Sequence, residues 1–206
     1  MESAQDALQR LKDGNKRFVS EVRGHGLLSG KTGRSELVTE QKPFAVIFGC
    51  SDSRVPVEIV FDQGLGDLFV IRVAGNVVAP SLIGSVEFAV EQFGTPLVLV
   101  LGHTMCGAVQ ATLADLNRPS ENRSPNLRSI VSRIQPSVQS LLETEIAADP
   151  DELLKRAVRA NIQTSVESLR HGSEILEGLI DSQELLVAGA EYSVETGVVN
   201  FEIATS

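Results

Sequence analysis

Phe44-Ala45-Val46-Ile47-Phe48-Gly49-Cys50-Ser51-Asp52-Ser53-Arg54 sets the reading of this chain, and Leu97-Val98-Leu99-Val100-Leu101-Gly102-His103-Thr104-Met105-Cys106-Gly107 repeats its plan. In each, a short apolar run reads as a buried strand, Phe44 to Phe48 and Leu97 to Leu101. In each, a glycine and then polar residues follow the strand's carboxyl end. Ligands of an open parallel sheet bind beyond that end. The chain has two cysteines, Cys50 and Cys106, and these two stretches hold both. Two thiols and the His103 imidazole, at the ends of two such strands, can converge on one point.

Outward from these strands, the pattern alternates. Pro56–Phe61 fits a short helix with Pro56 at its first position. Asp67–Val73 reads as a second strand, and Pro80–Phe93 as a helix that Gly94 ends. Pro96–Leu101 is the third strand and Cys106–Leu116 a helix. Apolar strands alternating with helices argue for a mostly parallel sheet. Met1 to Val19 reads as an amphipathic helix, with Ala4, Leu8 and Leu11 at helical spacing. Ser20 to Gln41 is Gly-rich and polar, a long connection of the kind that is functional or packed on a partner. Asn117 to Asn126 reads as a surface loop. Leu127–Leu142, Asp151–Ser168 and Ser173–Ile180 read as helices, the second with acids at its positive end. Leu185–Tyr192 and Val198–Ile203 form a final strand pair across a short turn. The expected fold is therefore α/β. It is a single domain over 1–206, with a mostly parallel central sheet flanked by helices. An N-terminal helical arm (1–41) precedes the sheet and a C-terminal antiparallel edge strand closes it. There is no repeat, low-complexity tract or linker.

Composition narrows the function classes. The chain has 206 residues, is 42% hydrophobic and 22% charged, and carries a formal charge of −9. That is enough to bury a core. The acidic balance argues against nucleic acid, which requires clustered Lys and Arg. No apolar run approaches the roughly 20 residues that span a bilayer. The N-terminus lacks a basic, then apolar, secretory pattern. The expectation is a cytoplasmic protein with no membrane partner. In a reducing compartment, two cysteines read as metal-binding or catalytic in preference to a disulfide.

Alone, Cys50 or Cys106 would read as a small buried hydrophobe, and His103 as a satisfied polar group. Together they form a ligand set. Two sulfurs and one nitrogen suit tetrahedral Zn²⁺, and three protein ligands leave the open fourth position of a catalytic zinc. One Zn²⁺ per chain is expected. Asp52 and Arg54 follow Cys50 by two and four residues. Asp52 could orient a zinc-bound hydroxide, or bind the zinc and close the site. Arg54 would hold Asp52 ionised and fixed. The bland alternative is an exposed loop ion pair of little weight.

Here the sequence resembles a known family. Cys50-x-Asp52-x-Arg54 followed by His103-x-x-Cys106 is similar to the metal motif of β-class carbonic anhydrases. So are Gln41-Lys42-Pro43, Phe69-Val70-Ile71-Arg72-Val73-Ala74-Gly75-Asn76 and Gly84-Ser85-Val86-Glu87-Phe88-Ala89-Val90. The likeness runs to Tyr192-Ser193-Val194. It implies zinc held by Cys50, His103 and Cys106, with Asp52 and Arg54 as catalytic dyad. It implies a CO₂ pocket lined by Gln41, Phe69 and Phe88 at a dimer interface, with Gly107 presenting backbone to the site. The partners implied are CO₂ and bicarbonate, and a second copy of the chain, as a dimer or a tetramer. Many members of the family have Tyr at the position of Phe88, so this wall is drier. Members regulated by bicarbonate carry Trp three residues before the first cysteine, with an Arg and a Tyr. Arg72 and Tyr192 match, but Ile47 replaces the Trp, so a full regulatory site is not expected.

The expected reaction is reversible CO₂ hydration by zinc-bound hydroxide. The competing readings are CS₂ or COS hydrolysis on the same scaffold, a non-enzymatic zinc-stabilised protein closed by Asp52, and a thiol redox protein. The last lacks Cys-x-x-Cys spacing. No Gly-x-Gly-x-x-Gly opens a helix, so nucleotide binding has no support beyond fold analogy. His25 and His171 are candidate proton shuttles whose plainer reading is surface histidines.

Overall fold

Four of the five strands run parallel. The computed structural model describes residues 2–22, 38, 41–117 and 124–204. The strands are β1 (Ala45–Cys50), β2 (Leu68–Val73), β3 (Leu97–His103), β4 (Leu186–Tyr192) and β5 (Val199–Ala204). Their order is β2-β1-β3-β4-β5, with only β5 antiparallel, against β4. The expected α/β class, mostly parallel sheet and antiparallel edge strand are therefore present. Most of the Gly-rich stretch after residue 22, with His25, lies outside the described residues, as does the loop at 118–123. No helix among the described residues is long and apolar enough to cross a membrane.

The sheet is buried on both faces, so β1 and the Leu97–Leu101 run of β3 are apolar at every position. On β1, Val46, Phe48 and Cys50 enter one core, and Ala45 and Ile47 the other. On β3, Val98 and Val100 join the first core, and Leu97, Leu99 and Leu101 the second. This alternation is the period-two geometry of a strand. The first core is covered by α3 (Pro80–Phe93), α4 (Gly107–Asn117), α5 (Pro125–Val138), α6 (Pro150–Arg170) and α7 (Glu174–Asp181). The second is covered by α1 (Ala4–Val19) and α2 (Val57–Val60).

Helix ends follow side-chain capping. Ser3 caps α1 by accepting from the Asp6 N–H. Asp149 caps α6 by accepting from the Asp151 and Glu152 N–H groups. Ser124 caps α5, so that helix starts at Pro125 rather than at the expected Leu127. It also stops short of Leu142. Pro136 lies inside it, and the chain continues as 3-10 turns over Gln139–Glu143 and Glu145–Ala148. Proline lacks the N–H that an α-helix interior needs. Pro56 is the residue before α2 and not its first position. β1 and β3 run on to Cys50 and His103, past the apolar runs, because the parallel ladder continues. Ala7 and Leu11 of α1 are fully buried in the core of their own chain.

Candidate metal centre

The topology puts the cluster where neighbouring crossovers leave the sheet in opposite directions. From β1 the chain steps to β2 on one side, and from β3 to β4 on the other. Such a switch point opens a crevice at the strands' carboxyl ends. Cys50 is the last residue of β1 and His103 the last of β3. Cys106 precedes α4.

The ligand atoms of Cys50, His103 and Cys106 all lie within 4.8 Å of one another. Their residues are 4%, 0% and 1% exposed. His103 Nδ1 is 2.9 Å from the Thr104 carbonyl oxygen, where its N–H donates. That assigns the lone pair to Nε2, which is buried and has no hydrogen-bond partner among the described residues. A buried polar nitrogen without a partner is costly. An imidazole whose other nitrogen donates to a carbonyl is the usual posture of a metal ligand. The donor set and this orphaned nitrogen fit Zn²⁺. The two thiols are hydrogen-bonded to one another. The hydrogen bond from Cys106 is the main cause that pulls the Cys50 thiol pKa down to about 4, with the Gly75 N–H adding to it. Cys106 is pushed up correspondingly by Cys50 and by burial.

Asp52 stands beside this cluster. Its Oδ2 is 3.8 Å from His103 Nε2. Arg54 grips it at two points, Nε to Oδ1 at 2.9 Å and a terminal nitrogen to Oδ2 at 2.8 Å. The Arg54 backbone N–H adds a third bond at 2.9 Å. Arg54 is the chief cause that holds the Asp52 carboxyl well below the usual carboxylate range. Arg54 also donates to the Met105 carbonyl at 3.2 Å, which ties the two loops together.

The remaining expected residues are less gathered. Phe69, Phe88 and Phe93 form an aromatic trio with centroids 5.7–6.2 Å apart. Phe88 is 51% exposed, and Gln41 and Gly107 are exposed. In a single chain this wall is open. His171 is exposed and lies between Glu167 and Glu177. It is the residue that caps the C-terminus of α6, just past Arg170.

Arg72 does something the sequence reading did not assign. It donates to the Cys50 carbonyl at 2.8 Å and to the Asp52 carbonyl at 2.6 Å, so it pins the loop that carries both. Gly75 donates its N–H to Cys50 Sγ at 3.3 Å. Nothing in the residue types announces either bond. Asn161 and Ser165 also reach this turn. Two polar residues four apart in the apolar stripe of α6 are the signal the sequence holds for this contact.

Fold and cluster define a class: an open, mostly parallel α/β protein with a buried Cys-His-Cys group able to hold a metal. Comparison with known proteins narrows it. The family model described as carbonic anhydrase matches residues 45–199. Carbonic anhydrase 2 of Mycobacterium tuberculosis is 40% identical over 193 residues, covering 93% of this chain and 89% of that protein. The carbonic anhydrase of Mycolicibacterium smegmatis is 50% identical over 132 residues, covering 64% and 63%. Among solved structures, the β-carbonic anhydrase CcaA matches with TM-score 0.76 at 27% identity, covering 93% of this chain and 86% of that one. A tetrameric β-carbonic anhydrase of Sordaria macrospora shares the fold, with TM-score 0.74 at 23% identity, covering 84% and 87%. The chain belongs to the carbonic anhydrase family, in its β class, and is an enzyme of that family.

Proposed function

We propose that this enzyme catalyses the reversible hydration of carbon dioxide at a zinc ion held by Cys50, His103 and Cys106. The observation that carries the reading is the buried, unpartnered His103 Nε2 among two thiols within 4.8 Å. Zinc would supply the Lewis acidity that makes water nucleophilic near neutral pH.

The chain's own residues supply the rest. Asp52 accepts a hydrogen bond from a water beside the ligands and fixes the direction of its lone pair. Arg54 fixes Asp52 in turn, and its two-point grip keeps the carboxylate from turning to the metal position. Phe69 and Phe88 offer an apolar wall to a linear apolar substrate. With Phe88 half exposed and Gln41 exposed in one chain, the pocket is finished by a second copy. A homodimer, or a tetramer like the Sordaria macrospora neighbour, follows from that. The committed inner face of α1 leaves its outer face for the partner.

Stopped-flow CO₂ hydration on protein of measured zinc content tests the proposal. Turnover should vanish on chelation and return with added zinc. One zinc per chain with no hydration, but hydrolysis of CS₂ or COS, would reassign the substrate. Turnover that survives complete zinc removal would overturn the metal reading.

A further inference from the structure

Two polar side chains are buried on the otherwise apolar inner face of α6, and the chemistry above uses neither. Asn161 and Ser165 are 2% and 3% exposed. They stand one turn apart, among Ala157, Val158, Ile162 and Val166. Burying an amide and a hydroxyl costs free energy unless both are hydrogen-bonded, so their partners show what they serve.

Both reach the same three-residue turn, Ala74–Asn76. Asn161 Nδ2 donates to the Gly75 carbonyl at 2.8 Å. The single Ser165 hydroxyl proton is shared between the Asn76 and Asn161 carbonyls, each at 2.9 Å. The same hydroxyl accepts from Asn76 Nδ2 at 3.3 Å. The turn requires holding, because Gly75 and Asn76 take φ of 71° and 44° in succession. It is also closely packed: a Cβ at Gly75 would meet Ile134 Cδ1 at 2.8 Å and the Ala108 Cβ at 3.0 Å. What the turn delivers is one aimed donor, the Gly75 N–H on Cys50 Sγ.

We infer that Asn161 and Ser165 are positioning residues of the metal centre: through the Ala74–Asn76 turn they hold the Gly75 N–H on the Cys50 sulfur and so set how much charge that sulfur gives the metal. The inference rests on the zinc reading above. A hydrogen bond to a thiolate draws density from it, and partners of this kind orient and tune metal ligands.

Cobalt(II) loaded into the intact protein tests it, because the thiolate-to-cobalt charge-transfer band reports sulfur donation directly. Asn161→Ala and Ser165→Ala should each move the band to lower energy and speed zinc loss to a chelator by about 10- to 100-fold. Ser165→Thr, which keeps the hydroxyl, should restore both. Ile162→Val loses packing on the same helix and should leave the band in place. A band that stays put in both alanine variants, in protein that binds cobalt, overturns this inference alone. A wild type that takes up no cobalt overturns the metal reading as well. Should neither alanine variant fold, wild-type protein loaded with an NMR-active cadmium isotope decides. Scalar coupling from cadmium to the Gly75 amide proton supports the inference, and its absence overturns it.

Discussion

The two strand-end loops that build the centre each keep a backbone bond to the neighbouring strand, the Ser51 N–H to the Val73 carbonyl at 3.2 Å in the first, and differ in the side chains added to it. The loop after β1 is also held by side chains. Arg72 bonds the carbonyls of Cys50 and Asp52, and Arg54 grips the Asp52 carboxylate. The loop after β3 carries no charged side chain of its own and is held through backbone groups, one of them the Met105 carbonyl that Arg54 reaches. The Thr104 N–H donates to the Tyr192 carbonyl at 2.9 Å. The Val194 N–H donates to Thr104 Oγ1 at 3.0 Å, and Met105 takes φ of 58°. The first loop can be altered one charge at a time. The second is an extension of the sheet that presents two of three ligands from a fixed frame. On the proposed function, the first loop directs the chemistry and the second anchors the metal.

Removing an anchor should have the largest effect. His103→Ala or Cys106→Ser takes one of three donors and leaves a buried, unbalanced site. We expect loss of stoichiometric zinc by metal analysis. Turnover should fall by roughly 10³-fold or more, since it depends on lowering the pKa of water from about 15.7 toward 7. Zinc retained at one per chain in either variant would break the division of labour.

Asp52→Asn should come next. It is close in shape, lies outside the ligand set and removes the charge that orients the nucleophile. The expected result is about 10²-fold lower kcat with zinc still bound, in the range of a lost general acid–base partner. Arg54→Lys follows. An ordinary aspartate is already ionised at neutral pH, and Arg54 only lowers the Asp52 pKa further. Near pH 7, then, Arg54 contributes position, not charge. Lysine keeps the charge and loses the fork, so a fall of about 10-fold is expected. The sign for pH follows. A depressed carboxyl pKa favours the fold above the unfolded pKa, and that benefit fades as pH falls toward the native value. Without the fork, Asp52 protonates at higher pH, so the acid limb of the rate profile should move up. An unmoved acid limb in Arg54→Lys would sever Arg54 from Asp52.

This contrast also explains what the sequence could show. Cys50, Asp52, Arg54, His103 and Cys106 were legible because their chemistry is carried by residue type at fixed spacing after recognisable strands. The mostly parallel sheet was legible because β1 and the Leu97–Leu101 run of β3 are apolar at every position and alternate with helices. The Gly75 N–H on sulfur was not, because a backbone donor has no residue type. Nor was the left-handed Met105, because a side chain does not announce its φ. The second role of Arg72 was hidden for another reason. Its partners are carbonyls brought near by the ladder that sets Gly49 against Arg72, and register appears only once the strands are paired.

The smallest effect expected is at Met105, and it tests the backbone-held loop most directly. A side-chain-bearing residue in the left-handed region costs about 1–2 kcal/mol relative to glycine. Met105 is 54% exposed, so its side chain offers little packing in return within one chain. Met105→Gly removes that strain but adds roughly 0.5–1 kcal/mol of unfolded-state entropy. The net gain should be under about 1 kcal/mol, an upward shift in Tm of a few degrees. Met105→Ile carries a β-branch into the same conformation and should lower Tm by a similar amount. Both keep Cys106 in place and should bind zinc fully. If the isoleucine variant melts above the glycine variant, the strain does not reside at Met105. The frame would then have to come from the Thr104 bonds to Tyr192 and Val194, and Thr104→Ala, which removes the second, would become the variant that loosens the anchor.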